Sequence, residues 1–307
     1  MSTSKEPVTF FSRSEQIAGM LFHPCPPQCS PALVLCHGAL DFKENYFELA
    51  CHLAEHGIAA LVLDMHGNGE SQGLRYHVNI GLWVEDIRSA LDFLEGHPLI
   101  DAKKIGAFGL SSGGTAILEA ALVEPRLKTL ITLDATVRNP LTWTDSVIMR
   151  LFVWLGHLKR FLTGDDLHLE MNWAFSKTEV ASDPDVNRMW RENPRVRAMW
   201  SSFPLPGAAQ SVFVDTITRV GSIRIPTLVL HGAEDRIDSP ETARMLYHAL
   251  NCVKDLCIIE GNGHIGHLDR NKKTVMELTT QWALNHLNQD PHRESPSEPH
   301  TTRPHPE

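Results

Sequence analysis

Short, continuously apolar runs recur along the chain, and between them lie segments whose apolar residues return every third or fourth position. PALVLCHG (31–38), IAALVLDM (58–65), KIGAFGL (104–110) and LKTLITLDA (127–135) read as buried strands, and IPTLVLHG (225–232) and KDLCIIEG (254–261) resume the series. ENYFELACHLAEHG (44–57) gathers Phe47, Leu49, Ala50 and Leu53 on one helical side and stops at Gly57. Further helices are predicted over about 79–96, from Ser111 to about 124, after a Ser239 cap with Pro240 in the first turn, and near 271–288. Strands that are apolar at every position are buried on both faces, and their alternation with helices predicts an α/β fold with a mostly parallel, doubly covered sheet. Active sites in such sheets lie beyond the carboxyl ends of the strands, so chemistry is expected in the turns that follow them.

Residues 137–221 break the rhythm. They hold five of the seven tryptophans (143, 154, 173, 190, 200) together with Phe152, Phe161, Met171, Phe175, Met189, Met199 and Phe203. The segment reads as several short helices interrupted at SDPD and PLPG, a helical cap inserted into the core. The predicted organisation is therefore a first core part (1–136), a cap (137–221), a second core part (222–288) and a tail (289–307). The tail, QDPHRESPSEPHTTRPHPE, is Pro-, His- and Glu-rich and predicted to be disordered.

Composition narrows the function classes. The chain's 307 residues suffice for one large α/β domain or a core with an inserted subdomain. A formal net charge of −9, carried by scattered acids, argues against a partner read through its phosphate backbone, so no nucleic acid is expected. The N-terminal MSTSKEPVTFFSRSEQ lacks the apolar core of a signal peptide, and no run approaches 18 uninterrupted apolar residues, so no transmembrane segment is expected. The six cysteines (25, 29, 36, 51, 252, 257) form no CxxC pair and no zinc-ligand spacing. Cys36 and Cys257 fall in strand-like runs, where a buried thiol is the ordinary outcome; only Cys25 and Cys29, beside prolines, are placed to pair or scavenge a metal. A reduced, cytoplasmic protein fits best, and a homodimer is compatible with the sequence without being specified by it.

Candidate chemistry centres on Gly109-Leu110-Ser111-Ser112-Gly113, a G-x-S-x-G run. The bare motif arises by chance in roughly one chain in ten of this length. Its setting is more selective: an apolar strand precedes it and a helix follows, as a nucleophile turn requires. Glycines there permit the close approach of strand and helix, and the helix N-terminus points at any negative charge developing near the serine.

Ser111, taken with HG at 37–38, DMHGNGES at 64–71, HGAED at 231–235 and GNGH at 261–264, resembles the α/β-hydrolase superfamily. More narrowly it is similar to the branch of esterases, monoacylglycerol lipases and serine aminopeptidases, over about residues 15–136 and 222–288. The resemblance implies the α/β-hydrolase fold and acyl transfer with Ser111 as nucleophile, the triad running Ser…Asp…His. It implies His264 as base and Asp235 as acid, with Asp134 a competitor for the acid role and Asp238 a weaker third. The backbone N–H groups of Ala39 and Ser112 would form the oxyanion hole, and Asp64, Gly67 and Gly69 would be architectural. Serine at the nucleophile position points to esters, thioesters, amides or activated C–C bonds.

No cofactor and no metal are implied. His267 completes an HxxH with His264, but two histidines without a third ligand make a weak metal signature. His52 and His56, spaced helically, read as solvated or packing residues. An apolar, Trp-rich cap favours a small hydrophobic ester, acyl or aromatic, as substrate. A carboxylesterase- or lipase-like enzyme is therefore expected. Three alternatives stay open: an aminopeptidase or amidase, for which Glu170, Glu179, Asp183 and Asp185 could hold a substrate ammonium; a lysophospholipase-type lipase; and a fold relative that only binds a small molecule. His264 is expected to titrate near its reference value of about 6.5 unless its surroundings shift it.

Overall fold

The computed structural model describes residues 3–139 and 141–288, so the tail expected to be disordered lies outside the described residues. The chain runs β1 (Ser4–Ser12), β2 (Glu15–His23), β3 (Ser30–Cys36), α1 (Phe47–Glu55), β4 (Ala59–Leu63), α2 (Ile80–Glu95), β5 (Ile100–Leu110), α3 (Ser112–Ala121) and β6 (Leu130–Leu133). It continues with α4 (Trp143–Thr163), β7 (His168–Leu169), α5 (Asn172–Phe175), α6 (Pro184–Glu192), α7 (Pro194–Ser201), β8 (Phe203–Pro204) and α8 (Leu205–Val212). Then come β9 (Thr227–Gly232), α9 (Pro240–Ala249), β10 (Lys254–Ile259) and α10 (Lys272–Leu287).

Eight strands form one sheet in the order β1-β2-β4-β3-β5-β6-β9-β10, parallel from β4 to β10 and antiparallel at β1 and β2. Strand alternation sends successive side chains to opposite faces. Ala32, Val34 and Cys36 of β3, with Leu61 and Leu63 of β4, pack among Trp83, Ile87 and Leu91 of α2 and Ile117 of α3. Leu33 and Leu35, with Ala60 and Val62, join Leu49 and Leu53 of α1 and Val275 and Ala283 of α10 on the other face. Both faces are thus apolar, which is why these strands read as unbroken apolar runs.

The sequence pattern did not anticipate the β1–β2 hairpin. β1 is the sheet edge, carries Pro7 and pairs with β2 alone, so most of its residues stay exposed and polar residues break up its apolar ones, Val8, Phe10 and Phe11. β6 is shorter than the apolar run from 127 to 135 suggests, because the backbone turns into the left-handed region at Asp134 (φ 48°). Cys36 is buried, whereas Cys257 is only half-buried on β10, the opposite edge strand.

Between β6 and β9 the chain forms α4 to α8 and the two-residue pair β7–β8. α4 packs on α8, where Gly156 lets Pro206 approach: a Cβ built at Gly156 would lie 2.8 Å from the proline ring. Phe175, Val196 and Met199 make a small apolar cluster with Phe42 of the core, and Trp190 and Trp200 lean on it. This cluster ties α5–α7 to the loop after β3.

Candidate active site

Every sequence-predicted site residue sits at the carboxyl end of a sheet strand or in the turn just after it. Ser111 follows β5 with φ 51° and ψ −119°, a region a side chain occupies only when its surroundings enforce it, at a cost of about 1–3 kcal/mol. The enforcement is visible. Ser111 N–H donates to Leu133 O at 3.0 Å, and Ser111 O accepts from Thr115 N–H at 3.0 Å. A Cβ at Gly109 would fall 2.4 Å from Gly113 O, and one at Gly113 would fall 2.4 Å from Cys36 O and His37 O. The glycines therefore let β5, α3 and the loop after β3 crowd together and lift Ser111 out of the sheet.

His264 lies in the turn after β10, and its Nδ1 is 2.8 Å from Asp235 Oδ2 in the turn after β9. The other oxygen of Asp235 accepts from Ile237 N–H at 2.7 Å and Asp238 N–H at 3.1 Å, which fixes the carboxylate. Burial alone would lower the His264 pKa. The Asp235 hydrogen bond and the charges of Asp235, Asp134 and Asp238 outweigh it, and the imidazole is pushed up to about 9, above the reference value expected from sequence.

Asp134 does not meet His264. Its Oδ1 accepts from Gly232 N–H at 2.8 Å, and burial, reinforced by the Asp235 charge, raises its pKa well above the usual carboxylate range. His231 stands between the two acids, 3.5 Å from Asp134 and 3.4 Å from Asp235, and donates through Nε2 to Asp238 O at 3.0 Å. Burial lowers the His231 pKa, so it is a neutral spacer. Asp238 accepts the Thr136 hydroxyl at 2.6 Å, and Thr136 Oγ1 in turn lies 3.4 Å from Ser111 Oγ. Among the described residues Ser111 Oγ thus rests against Thr136, not against His264. Resting hydrogen bonds of this kind commonly tighten only when substrate arrives. Thr136 and His231 were not singled out from the sequence, since a threonine after a strand and a histidine in HG carry no motif that separates them from neighbours.

The loop after β3 brings Ala39 to the same place. His37 fixes this loop with a set tautomer: Nδ1–H donates to Gly38 O at 2.7 Å, and Nε2 accepts from Met65 N–H at 2.9 Å. Neither Ala39 N–H nor Ser112 N–H has an acceptor among the described residues, and Ser112 opens α3, whose dipole is positive at that end. Asp64 takes hydrogen bonds from Lys43 N–H (2.9 Å), Lys43 Nζ (2.6 Å) and Glu70 N–H (2.9 Å), and Gly69 is pressed onto its carboxylate. Gly67 (φ 78°) leaves no room for a Cβ against Leu74 O. That turn braces the loop and offers no group to the site.

Ser111 and His264 open into a cavity of about 230 Å³ whose floor is Gly38, Ala39 and Leu110 and whose walls are Val180, Trp190, Trp200, Ile265 and Leu268. Its one acid, Asp41, is held by Phe42 N–H, Tyr46 Oη and Asn45 Nδ2, and burial raises its pKa. The four acids that could have held an ammonium lie elsewhere: Glu179 pairs with Arg236, Asp185 with Arg188, Asp183 caps α6, and Glu170 accepts from Asn172. His267 stacks on Tyr46 with ring centroids 4.4 Å apart, and burial brings its pKa down to about 3; it does not join His264 as a ligand pair. The rings of His52 and His56 meet at a tilt of 39° at the end of α1, away from the cavity. A larger cleft of about 640 Å³ lies by Arg13, Glu85, Arg88, Glu119, Asp215 and Arg219; Arg88 pairs there with Glu85 and Arg219 with Glu119, and neither Ser111 nor His264 lines it.

Comparison with known proteins agrees with this architecture. The sequence profile of the serine aminopeptidase S33 family matches residues 27–271, and the chain belongs to that family of α/β-hydrolases. A monoacylglycerol lipase of Mycolicibacterium smegmatis is 23% identical over 258 residues, covering 83% of this chain and 88% of the relative. Thiohydrolase aneE of Aspergillus aculeatus is 34% identical over 115 residues, 36% of each chain. Among solved structures, DcsB in complex with its substrate analogue superposes with a TM-score of 0.80 at 17% identity, over 93% of this chain and all of that one, a likeness of fold.

Proposed function

We propose that this protein is a serine hydrolase that cleaves small hydrophobic carboxylic esters through an acyl-enzyme on Ser111. The observation that carries the reading is the His264–Asp235 pair, 2.8 Å apart, whose histidine shares an apolar cavity with a serine held at positive φ. In the proposed cycle His264, in its neutral form, takes the Ser111 proton on Nε2 as Oγ bonds to the acyl carbon. The carbonyl oxygen becomes an oxyanion facing the N–H groups of Ala39 and Ser112, each worth about 10²–10³ in rate. Collapse breaks the bond to the leaving oxygen, which receives the proton from His264. Water then gives its proton to His264 and attacks the acyl carbon, and the proton returns to Ser111 as the carboxylic acid leaves. Asp235 orients the imidazole and stabilises its charged form throughout.

The cavity wall supports a hydrophobic substrate. Valine, isoleucine, leucine and two indoles bury acyl or aryl surface, and the one acid present is already held by three donors and offers nothing free to an ammonium. An aminopeptidase reading lacks its anchor. The similarity to a monoacylglycerol lipase supports ester cleavage. The test is a panel of p-nitrophenyl esters of increasing acyl length, a matching thioester and an amino-acyl arylamide. Turnover is expected for short and medium esters, with Ser111→Ala lowering kcat by on the order of 10⁴–10⁶. Turnover of the arylamide alone, or of none of the substrates, would reject the reading.

A further inference from the structure

α4 exposes an apolar face that nothing in the described chain covers. Val153 and Gly156 face inward, and on the opposite side Val147, Leu151, Trp154, Leu158 and Phe161 follow one another at alternating spacings of four and three, all exposed. Ile148, Leu155 and Leu162 form a second exposed row, seven residues apart, beside the first. Trp143, 80% exposed, and Phe161, 85% exposed, stand near its two ends. Summed over these side chains the exposed apolar area is on the order of 1,000 Å², against a few hundred for the largest patch of a typical monomer.

Three observations decide what covers it. The 289–307 segment, outside the described residues, contains no large apolar side chain to match this face. A charged lipid surface is poorly matched as well. The net charge is −9, and the cations of α4 are turned back onto their own chain: Arg150 lies over Phe213 at 4.4 Å, Lys159 donates to Asp166 O at 2.9 Å, and Arg160 is 3.8 Å from Asp166. A second helix of the same kind fits. Four-three spacing is the seam by which two helices interlock along their length, and the exposed area is of the same order as the roughly 800 Å² each partner contributes to a standard stable interface. A face of this kind pairs with itself across a two-fold axis.

We propose that the outward face of α4 is a homodimer interface in which α4 packs against α4 of a second copy. None of the seam residues lines the cavity, so this inference stands apart from the catalytic reading. The test is sedimentation velocity on the full chain at micromolar concentration, beside the double variant Leu151→Glu, Leu158→Glu, with flotation on phosphatidylcholine vesicles with and without an anionic lipid. The wild type is expected to sediment at twice the 34.3 kDa chain mass. The variant is expected to be monomeric, with an unchanged circular dichroism spectrum and ester turnover within about twofold of wild type. A monomeric wild type, a variant that remains dimeric, or a monomer that floats with either vesicle overturns the proposal.

Discussion

The α/β core and the helical segment between β6 and β9 are both rich in large apolar side chains, yet they place them differently. In the core the apolar residues of β3, β4, β5 and β6 are almost all inaccessible, and so is Trp83, the one tryptophan on α2. In the helical segment Trp143, Trp154 and Trp173 are exposed, whereas Trp190 and Trp200 line the cavity over Ser111. The difference separates two roles for apolar surface. In the core it holds charged and strained groups rigidly at strand ends. In the helical segment it forms one wall of the cavity and presents a face outward. Chemistry should therefore fail when core groups change, and substrate preference should move when the segment's inner wall changes.

The largest effect that sharpens this contrast lies between two core acids. Asp235→Asn leaves the shape of the site but offers His264 an amide, and kcat/KM for a p-nitrophenyl ester should drop on the order of 10⁴-fold. Asp134→Asn keeps an oxygen for Gly232 N–H and should cost only a few-fold. The reverse ranking would move the acid role to Asp134. The pH profile belongs to the same pair. With His264 pushed up to about 9, the reactive neutral base is roughly one part in a hundred at pH 7. Activity should therefore climb about tenfold per unit through neutrality and level off near pH 9, since a raised base pKa withholds the neutral form until higher pH. In Asp235→Asn the residual activity should level off at lower pH, as the partner that raised the pKa has gone.

A smaller effect is expected from the inner wall of the helical segment. Trp190 lines the cavity and packs on Phe175, with ring centroids 5.1 Å apart. Trp190→Ala should raise KM for a medium-chain ester about tenfold and leave kcat nearly unchanged. A fall in kcat at constant KM would mean that the wall takes part in the chemistry and would blur the division between the two regions.

Much of the core was legible because both-face burial leaves an unmistakable mark. The runs ending at Gly38, Leu110, Gly232 and Gly261 announced strands, and the turns after them hold Ala39, Ser111, Asp235 and His264 within one cavity neighbourhood. The β1–β2 hairpin was not legible, since β1, an edge strand half in water, interleaves Val8, Phe10 and Phe11 with polar residues and shows no unbroken apolar run. The resemblance pointed to Asp235 over Asp134 as the acid, but nothing local in the sequence separates the two. Both follow β-strands, and only the left-handed turn at Asp134 and the backbone N–H of Gly232 show that its carboxyl is occupied elsewhere. In the helical segment the apolar count was plain, but which tryptophans point inward depends on how α4 seats on α8 at Gly156 and on how α5–α7 seat on Phe42. Such contacts are long-range, and local periodicity does not encode them.

The most direct measurement of the central claim is covalent labelling of the full chain with a fluorophosphonate, followed by peptide mass spectrometry. The account predicts one stoichiometric adduct on Ser111, concurrent loss of ester turnover, and no labelling of Ser111→Ala. An adduct on another residue, or ester turnover that survives complete modification of Ser111, would contradict it.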